Sequence, residues 1–380
     1  MDFGHAGHPG DRLRASREAG RVRLSARLDR GSDPAAGKDD DDLRYFRRAH
    51  RSGSALQAGG AKRHGARHPP FRSRGRQARQ RPSRCLRQQA HLPGHGSAMR
   101  IKFWGTRGTR PTPGKRTLRY GGNTTCLEVR DKDDNLIIID SGSGIAELGG
   151  GFEQAEPLQA HLLITHTHLD HIQGFPFFPP AFVPGTHLTI VGPAGSAKSL
   201  QAAFADQMDP AYFPVRLDHM PAEMEFIERN PGETFEVGGL RITPHLVMHP
   251  IPTFGYRIDE GSTRFAFATD NEIAMFANNE NGTLKDLVAW CQDADLLVHD
   301  AQYSREEYRT HAGFGHSTYE EALSLAEQAD VQQLAFFHHD PAHSDADIDA
   351  LIEEALGNHR QSGGNDVVAF PAAEDQELPL

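Results

Sequence analysis

From residue 99 onward, short apolar stretches alternate with turn-forming polar residues along the chain. Val, Ile, Phe and Thr dominate thirteen of these stretches, and Gly, Pro, Asn or Asp flank them, which is the pattern of β-strands. Gly-Gly at 238–239 and Glu-Gly-Ser at 260–262 separate neighbouring stretches as hairpin loops do. The predicted strands cover 101–106, 124–130, 135–140, 161–165, 187–191, 224–228, 234–237, 240–249, 254–259, 264–269, 295–299, 334–337 and 366–370.

Helical periodicity is rarer and lies in the last hundred residues. Ser317 and Glu320 have the spacing of a capping box, and the apolar face of a helix follows from Ala322. Two further helices are predicted over 284–291 and 346–356. Many strands with a few interposed helices predict an α/β fold of the αββα type, in which two mixed sheets are flanked by helices. The part of the chain after residue 98 is long enough for one such domain.

Residues 1–98 differ in composition from residues 99–380. The first segment has 20 arginines, no isoleucine and a net charge of +13, whereas the second has a net charge of −23, so the −10 of the whole chain averages two unlike pieces. With little apolar surface to bury, the first segment is expected to be disordered. Twenty Arg against only two Lys is typical of GC-rich DNA translated in an unselected frame, so we expect a mis-assigned start, with the true start at Met99. A genuine disordered tail and a basic nucleic-acid-binding module are the alternatives.

Composition also excludes several protein classes. No run of about 18 apolar residues predicts a membrane span, and the first ten residues lack the apolar region of a secretory signal. Three widely spaced cysteines, Cys85, Cys126 and Cys291, suggest neither a disulfide framework nor a cysteine-based zinc site. A cytoplasmic location is therefore expected.

The strongest chemical signal is the run 165–171, Thr-His-Thr-His-Leu-Asp-His, directly after an apolar strand. Three imidazoles and a carboxylate within six residues are unsuited to a core, but their nitrogen and oxygen atoms are preferred zinc ligands. His249, Asp270 and His338 each follow a further predicted strand. Because loops at strand ends present ligands over a rigid scaffold, these residues are candidates for one shared site.

This constellation resembles the metallo-β-lactamase superfamily, whose members are dinuclear metallohydrolases with an αββα sandwich. The resemblance implies two divalent metal ions, Zn²⁺ or alternatively Mn²⁺. His339, next to His338, is left as an alternative last ligand. The implied ligands are His166, His168 and His249 for one ion, Asp170, His171 and His338 for the other, and Asp270 as the bridge between them.

Three further motifs resemble ribonuclease Z and related phosphodiesterases, namely Met248–Arg257, the run His-Asp-Ala-Gln at 299–302, and the run Gly-His-Ser-Thr at 315–318. The resemblance implies that His316 is the general acid that protonates the leaving oxygen. Asp300 would orient it, although the family usually has Glu at that position. Asp170 is expected to orient the attacking nucleophile.

Other residues are predicted to support the site. The motifs at 103–108 and 120–126 suggest Asn123, with Arg107 and Arg119, as substrate-side groups, unless their glycines only form tight loops. Asp140 is expected behind a metal-ligating histidine, or else as a turn carboxylate, and His299 belongs with these supporting residues. The apolar loops at 175–184 and 212–214 are left open between a substrate wall, a dimer contact and ordinary core packing, so a homodimer also stays open.

These observations predict a metal-dependent hydrolase that acts on a small or cyclic nucleotide-like phosphodiester. Ribonuclease Z carries a long tRNA-binding arm between its third-motif histidine and its bridging aspartate, but only twenty residues separate His249 from Asp270. The charge of −23 also opposes a large polyanion, so nucleic acid is disfavoured as a substrate. An RNA 3′-end endonuclease and a thioesterase or lactonase are the alternative enzymes.

Overall fold

The computed structural model describes residues 99–152, 156–278 and 283–380, so the predictions for residues 1–98 lie outside the described residues. Within that part, all thirteen predicted strands are present. In chain order the strands are β1 (Arg100–Gly105), β2 (Cys126–Arg130), β3 (Leu136–Ile139), β4 (Gln159–Leu163), β5 (His187–Pro193), β6 (Glu223–Arg229), β7 (Phe235–Val237), β8 (Leu240–Leu246), β9 (Phe254–Glu260), β10 (Thr263–Ala268), β11 (Leu296–Asp300), β12 (Gln333–Phe337), β13 (Val368–Pro371) and β14 (Glu377–Pro379).

Seven α-helices connect or follow these strands in the described part of the chain. They are α1 (Ile145–Gly150), α2 (Leu169–Ile172), α3 (Leu200–Gln207), α4 (Leu284–Cys291), α5 (Arg305–His311), α6 (Tyr319–Gln328) and α7 (Asp345–Gln361). None of the described helices is long and apolar enough to cross a membrane.

The strands form two seven-stranded mixed sheets, which confirms the predicted α/β sandwich. The first sheet has the order β14-β1-β2-β3-β4-β5-β6 and the second has the order β13-β12-β11-β10-β9-β8-β7. The first sheet is antiparallel from β14 to β3 and parallel from β3 to β6. The second is antiparallel from β7 to β10 and parallel from β10 to β13. Both sheets therefore have the same arrangement of an antiparallel and a parallel half.

A continuous apolar layer lies between the two sheets. Phe103 and Ile139 from the first sheet and Phe267 and Phe337 from the second are fully buried there. The rings of Phe103 and Phe337 have centroids 6.0 Å apart. A second layer lies between the outer face of the second sheet and helices α4, α6 and α7. Because both faces of the central strands are buried, their sequences are almost continuously apolar instead of alternating.

The start of helix α6 differs by one residue from the prediction. Thr318, not Ser317, is the N-cap, since its hydroxyl accepts a hydrogen bond from the amide of Glu321 (3.2 Å) and the Glu321 carboxylate accepts one from the Thr318 amide (2.8 Å). Ser317 instead donates its hydroxyl to the Asn271 carbonyl at 2.5 Å. Two adjacent acidic residues fit the capping spacing, and the sequence alone did not distinguish them.

The remaining differences concern short elements. Helix α4 has the predicted bounds, whereas α7 extends five residues further at its C-terminal end than predicted. Helices α1, α2 and α5 and strand β14 were not predicted because they are too short to display a clear periodicity, and α3, which is as long as α4, was not predicted because it buries only Leu200 and Phe204. Strand β14 pairs with β1 and completes the edge of the first sheet.

Candidate metal centre

The candidate ligands follow the carboxyl ends of strands from both sheets. The run 166–171 follows β4, Asp270 follows β10, and His338 follows β12. Parallel strands have their carboxyl ends at one edge of a sheet, and loops at that edge of α/β sheets form ligand sites. His249 comes from the loop after the antiparallel strand β8. The sandwich thus brings residues that are far apart in sequence to one place.

Three residues at these strand ends have left-handed backbone conformations. The φ angles are +60° for Asp140, +53° for Asp270 and +58° for His338. Such a conformation costs about 1–2 kcal/mol for most residues, and Asp and His adopt it more readily than branched side chains do. The main chain at Gly108 packs directly against the ring of His338, because a Cβ atom on Gly108 would lie 2.4 Å from that ring. The main chain near these strand ends therefore packs closely against side chains of the site.

The first group of ligand atoms consists of three histidine nitrogens. The Nδ1 atom of His168 lies 2.9 Å from Nε2 of His166 and 3.1 Å from Nε2 of His249. One carboxylate oxygen of Asp270, Oδ1, lies 3.8 Å from the Nε2 atoms of both His166 and His249. These atoms surround one small volume in which a metal ion can be held.

The second group lies on the other side of Asp270. Its Oδ2 atom is 3.2 Å from Nε2 of His171 and 3.4 Å from Nε2 of His338. The Oδ2 atom of Asp170 lies 3.3 Å from both of these nitrogens. Asp270 therefore presents one carboxylate oxygen to each group.

His338 and its neighbour His339 have different surroundings. His338 belongs to the second group, whereas Nε2 of His339 lies 3.0 Å from the carbonyl oxygen of Ala372, away from the ligand atoms. Burial, with the nearby charge of Arg107, lowers the pKa of His339 to about 3. A neutral His339 is thus held by the main chain, and His338 is the histidine near the ligand groups.

Four of the ligand histidines have their second ring nitrogen fixed by a neighbour. Nδ1 of His171 lies 2.8 Å from Asp140, and Nδ1 of His338 lies 3.0 Å from the side-chain oxygen of Gln302. The corresponding partners of His249 and His166 are the Gly315 carbonyl at 3.1 Å and the Thr165 hydroxyl at 3.1 Å. Such partners hold the proton on Nδ1 and direct the lone pair of Nε2 to the site.

The donor set fits metal ions. With Nδ1 protonated on His166 and His249, the Nε2 lone pairs of both residues point at Nδ1 of His168. Because that nitrogen carries one proton at most, it cannot donate a hydrogen bond to both lone pairs. Nε2 of His171 is buried and has no hydrogen-bond partner within the described part of the chain. Imidazole nitrogen and carboxylate oxygen are ligands that zinc and related divalent ions prefer. The clusters are therefore suited to metal binding.

The electrostatics of the cluster favour the ligand forms of His166, His249 and Asp270, whereas they favour the protonated form of His171, whose proton a bound metal ion would displace. Burial lowers the pKa of His249 to about 4 and that of His166 well below its usual value, so both are neutral at pH 7. Burial opposes ionisation of Asp270, but His338 and His171 outweigh it and hold its pKa well below its usual value. Burial likewise opposes a charge on His171, yet Asp270, Asp170 and Asp140 raise its pKa. The carboxylates thus create a negative potential that a cation satisfies.

His316 and Asp300 form a buried pair beside the ligand groups. Nδ1 of His316 lies 2.7 Å from Oδ2 of Asp300. Asp300 also accepts hydrogen bonds from the main-chain amides of Asp270 and Ser317, at 3.2 and 3.0 Å. Burial lowers the pKa of His316, but the charge and hydrogen bond of Asp300 outweigh it and raise the pKa to about 9. His316 therefore carries a proton at neutral pH.

His316 also lies within reach of the ligand groups. Its ring stacks on that of His338 with a centroid distance of 4.9 Å, and its Nδ1 lies 4.0 Å from Oδ1 of Asp270. Together with Asp270 and His338 it forms another group whose ligand atoms could surround an ion. The fully buried Asp300 thus contacts Nδ1 of a ring that lies against the ligand groups.

Glu272 was not identified from the sequence, but it shapes the loop that carries His316. Its carboxylate is buried and accepts hydrogen bonds from the Tyr308 hydroxyl at 2.6 Å and from the amides of Gly313 and Gly315, each at 2.7 Å. Gly315 has a φ of +91°, and a Cβ atom there would lie 2.1 Å from Nδ1 of His249. Its carbonyl is the partner of His249. The position of Glu272, two residues after Asp270, is the one signal in the sequence that could have identified it.

Two more supporting contacts come from the 103–108 motif and from the run 299–302. The main-chain amide of Thr109, just after the motif, donates to Oδ2 of Asp170 at 2.7 Å. Gln302 accepts from His338, as described above. Asp140 contacts His171 and also accepts from the Thr165 amide at 2.7 Å, so it lies behind a ligand histidine.

The other supporting candidates do not contact the ligand groups. The Asn123 side chain accepts from the Ser143 hydroxyl at 2.9 Å, and Nε2 of His299 lies 3.0 Å from the Asn271 amide nitrogen. The fully buried guanidinium of Arg107 donates to main-chain carbonyls, including that of Gly121 at 2.8 Å. Since no solvent reaches it, Arg107 is not available to a substrate. Arg119 instead pairs with Asp349 of α7.

Comparison with known proteins identifies the class. A family model described as "Beta-lactamase superfamily domain" matches residues 137–339, which is more than half of the chain. The chain belongs to this family, and it is a hydrolase with the metallo-β-lactamase fold.

Two of the relatives that resemble this chain in sequence are named ribonuclease Z. A ribonuclease Z of Thermoplasma acidophilum is 25% identical over 306 residues, which span 68% of this chain and 91% of the relative. A ribonuclease Z of Bacillus cereus is 27% identical over 238 residues, spanning 51% of this chain and 75% of the relative.

Solved structures share the fold. The metallo-β-lactamase fold protein YhfI of Bacillus subtilis has a TM-score of 0.54 at 16% identity and covers 75% of this chain and 100% of its own. A diphosphatase of the PhnP family has a TM-score of 0.51 at 18% identity, with 74% and 98% covered. The short form of human tRNase Z also has a TM-score of 0.51 at 18% identity, with 73% and 98% covered.

Proposed function

We propose that this protein hydrolyses a phosphodiester in a small or cyclic nucleotide-like molecule, using two divalent ions, Zn²⁺ or alternatively Mn²⁺. The observation that carries the proposal is the buried pair of His316 and Asp300, with Nδ1 and Oδ2 2.7 Å apart, beside a carboxylate that faces both ligand groups. The names of the relatives, ribonuclease Z and diphosphatase, support a phosphoric ester as the substrate.

The proposed ligands are His166, His168 and His249 for one ion and Asp170, His171 and His338 for the other, with Asp270 shared. Bound there, two divalent ions would polarise a phosphoryl oxygen and lower the pKa of a water molecule to near neutrality. The fixed tautomers of the four histidines with an Nδ1 partner keep their Nε2 lone pairs directed at the ions.

The chain's own residues supply proton transfer and orientation. His316, which is protonated at neutral pH, donates its proton to the departing ester oxygen, and Asp300 holds the ring and stabilises its charge. The Thr109 amide donates a hydrogen bond to Oδ2 of Asp170 and holds this side chain in place. In the proposed mechanism, Asp170 orients the attacking water by accepting a hydrogen bond from it. An alkoxide is a poor leaving group, so a phosphodiester benefits from such an acid more than a thioester does.

Two observations favour a small substrate over RNA. Between His249 and Asp270 the chain forms only the plain hairpin of β9 and β10, which has no room for a long arm. The net charge of −23 over residues 99–380 repels an extended polyanion outside the metal centre. Cleavage at an RNA 3′ end remains the second candidate, because the curated relatives carry the name ribonuclease Z.

The test is a turnover screen on the full chain loaded with zinc or with manganese. We expect hydrolysis of bis(p-nitrophenyl) phosphate and of cyclic or dinucleotide diesters, and little cleavage of a precursor tRNA. Turnover of a thioester or a lactone by the metal-loaded chain, with no phosphodiester hydrolysed, would overturn the proposal. The Asp270→Asn variant, which alters the carboxylate that faces both ligand groups, serves as the control for background hydrolysis by adventitious metal.

A further inference from the structure

An apolar groove with a volume of about 720 Å³ lies directly beside the metal centre. Thr167 and Leu169, which alternate with the proposed ligands of the 166–171 run, line it. Ile251, two residues after His249, lines it as well. The volume is in the range of ordinary small-molecule sites. A substrate whose phosphate is at the ions can therefore extend one substituent into this groove.

The groove exposes large apolar side chains that a folded chain normally buries. The exposed fractions are 82% for Tyr212, 65% for Leu169 and 49% for Phe177. These are three of the six large apolar side chains that are exposed in the described part of the chain. The Phe177 ring meets the Phe213 ring edge to face, with centroids 5.4 Å apart. Clustered exposure of this kind marks a surface that binds something.

The polar groups of the groove identify the chemistry of its occupant. Lys198 and Asp206 are the only charged side chains that line it among the described residues, and they pair with each other. A second phosphate would find no free cation there. Gln207 also lines the groove, and its Nε2 atom is buried without a hydrogen-bond partner among the described residues, so a rotation of its side chain can present this donor to an acceptor on a ligand. An uncharged flat ring with carbonyl or ring-nitrogen acceptors satisfies both conditions.

We propose that this groove binds a nucleobase carried by the substrate. Stacking on Tyr212 and Phe177 and a hydrogen bond from Gln207 would hold the base while the phosphate lies at the metal centre. The inference rests on the proposed phosphodiesterase function, and it specifies that function by assigning the substrate to the nucleotide class. Binding an uncharged base requires no additional positive charge on the protein, which agrees with the net negative charge of residues 99–380.

To test whether the groove binds a nucleobase, binding and turnover are measured separately. Titration calorimetry on the full, metal-loaded chain compares adenosine 5′-monophosphate with ribose 5-phosphate, which has the same phosphate and sugar without the base. We expect the base to tighten binding by roughly tenfold or more, the scale of one base stacked on an aromatic side chain. Tyr212→Ala should reduce that preference several-fold. Leu118→Ala removes a comparably exposed apolar side chain, 78% exposed, outside the groove and should leave the preference intact.

Equal affinity for the two ligands in the wild-type chain would overturn the nucleobase assignment, even if phosphodiester hydrolysis persists. A base preference without any phosphodiester turnover would instead overturn the proposed function and retain the groove. Sedimentation of the same samples examines a second copy as the occupant, since a dimer that Tyr212→Ala dissociates would contradict the assignment.

Discussion

At the metal centre, four histidines have a partner on Nδ1 and Asp300 accepts several hydrogen bonds, whereas the groove beside it leaves large apolar side chains exposed to solvent. The Asp300 carboxylate, for example, accepts hydrogen bonds from His316 and from the main-chain amides of Asp270 and Ser317. Tyr212 is exposed over most of its surface. The two proposals assign different tasks to these regions: the partnered, buried cluster would fix the geometry of the reaction, and the open apolar groove would select the substrate. Changes at the centre should therefore abolish turnover, and changes in the groove should alter substrate preference.

The largest effect is expected from Asp270→Asn. This substitution removes the charge of a carboxylate whose two oxygens face the two ligand groups. We expect turnover of bis(p-nitrophenyl) phosphate to fall by about a thousandfold, the scale of losing a main stabiliser of transition-state charge. Elemental analysis should show fewer ions per chain. Full activity with normal metal content would show that the two groups do not share this carboxylate.

A large effect that depends on the substrate is expected from His316→Ala. A general acid contributes about 100- to 10,000-fold when the leaving oxygen is poor. We therefore expect a loss of at least about a hundredfold for a diester with an alkoxide leaving group, and a much smaller loss for one with nitrophenolate, which departs without a proton. The measurement is kcat/KM for both substrates. Equal losses for the two would contradict the role of His316 as the acid.

A moderate effect is expected from Glu272→Gln, a residue that touches no proposed ligand directly. An amide cannot accept from two glycine amides and a tyrosine hydroxyl as the carboxylate does, so the loop that holds His316 and the partner of His249 loosens. We expect about a tenfold loss of metal affinity or activity, as for other outer partners of metal sites. Glu353→Gln, at an exposed position on α7, is the matched control. Unchanged metal affinity, kcat and KM would contradict the positioning role.

The smallest expected effect concerns the stability of the chelated, metal-free chain. The pKa of His316 in the folded chain is about 9, above its ordinary value of 6.5, because the charge of Asp300 outweighs burial. A raised pKa adds stability that is fully present below pH 6.5 and is lost as the pH rises through 9. We therefore expect the Tm of the wild type to fall more between pH 6.5 and 9 than that of His316→Gln. Parallel curves for the two proteins would contradict the protonated pair.

Much of the fold could be predicted because its strands are short, strongly apolar and bounded by turn residues. The run 166–171 could be predicted as a candidate metal site because four residues of ligand type lie within six positions. His249, Asp270 and His338 could be predicted because they stand at strand ends. Glu272 and Gln302 could not, since each acts on residues that only the folded chain brings close.

Burial explains the remaining errors and open questions. Arg107 suggested a substrate contact, but its guanidinium is enclosed and satisfies main-chain carbonyls. The loops around Phe177 and Tyr212 could not be separated from core by sequence, because apolar character alone does not say which side chains solvent reaches. His316 and Asp300 were chosen by motif, and the contact between them required the fold.

The central claim, a phosphodiesterase with two ions that share Asp270, is tested most directly by titrating the chelated full chain with zinc while bis(p-nitrophenyl) phosphate turnover is recorded. The account predicts that activity rises and reaches its plateau at two equivalents of zinc per chain. A plateau at one equivalent, or turnover that does not depend on added metal, would contradict it.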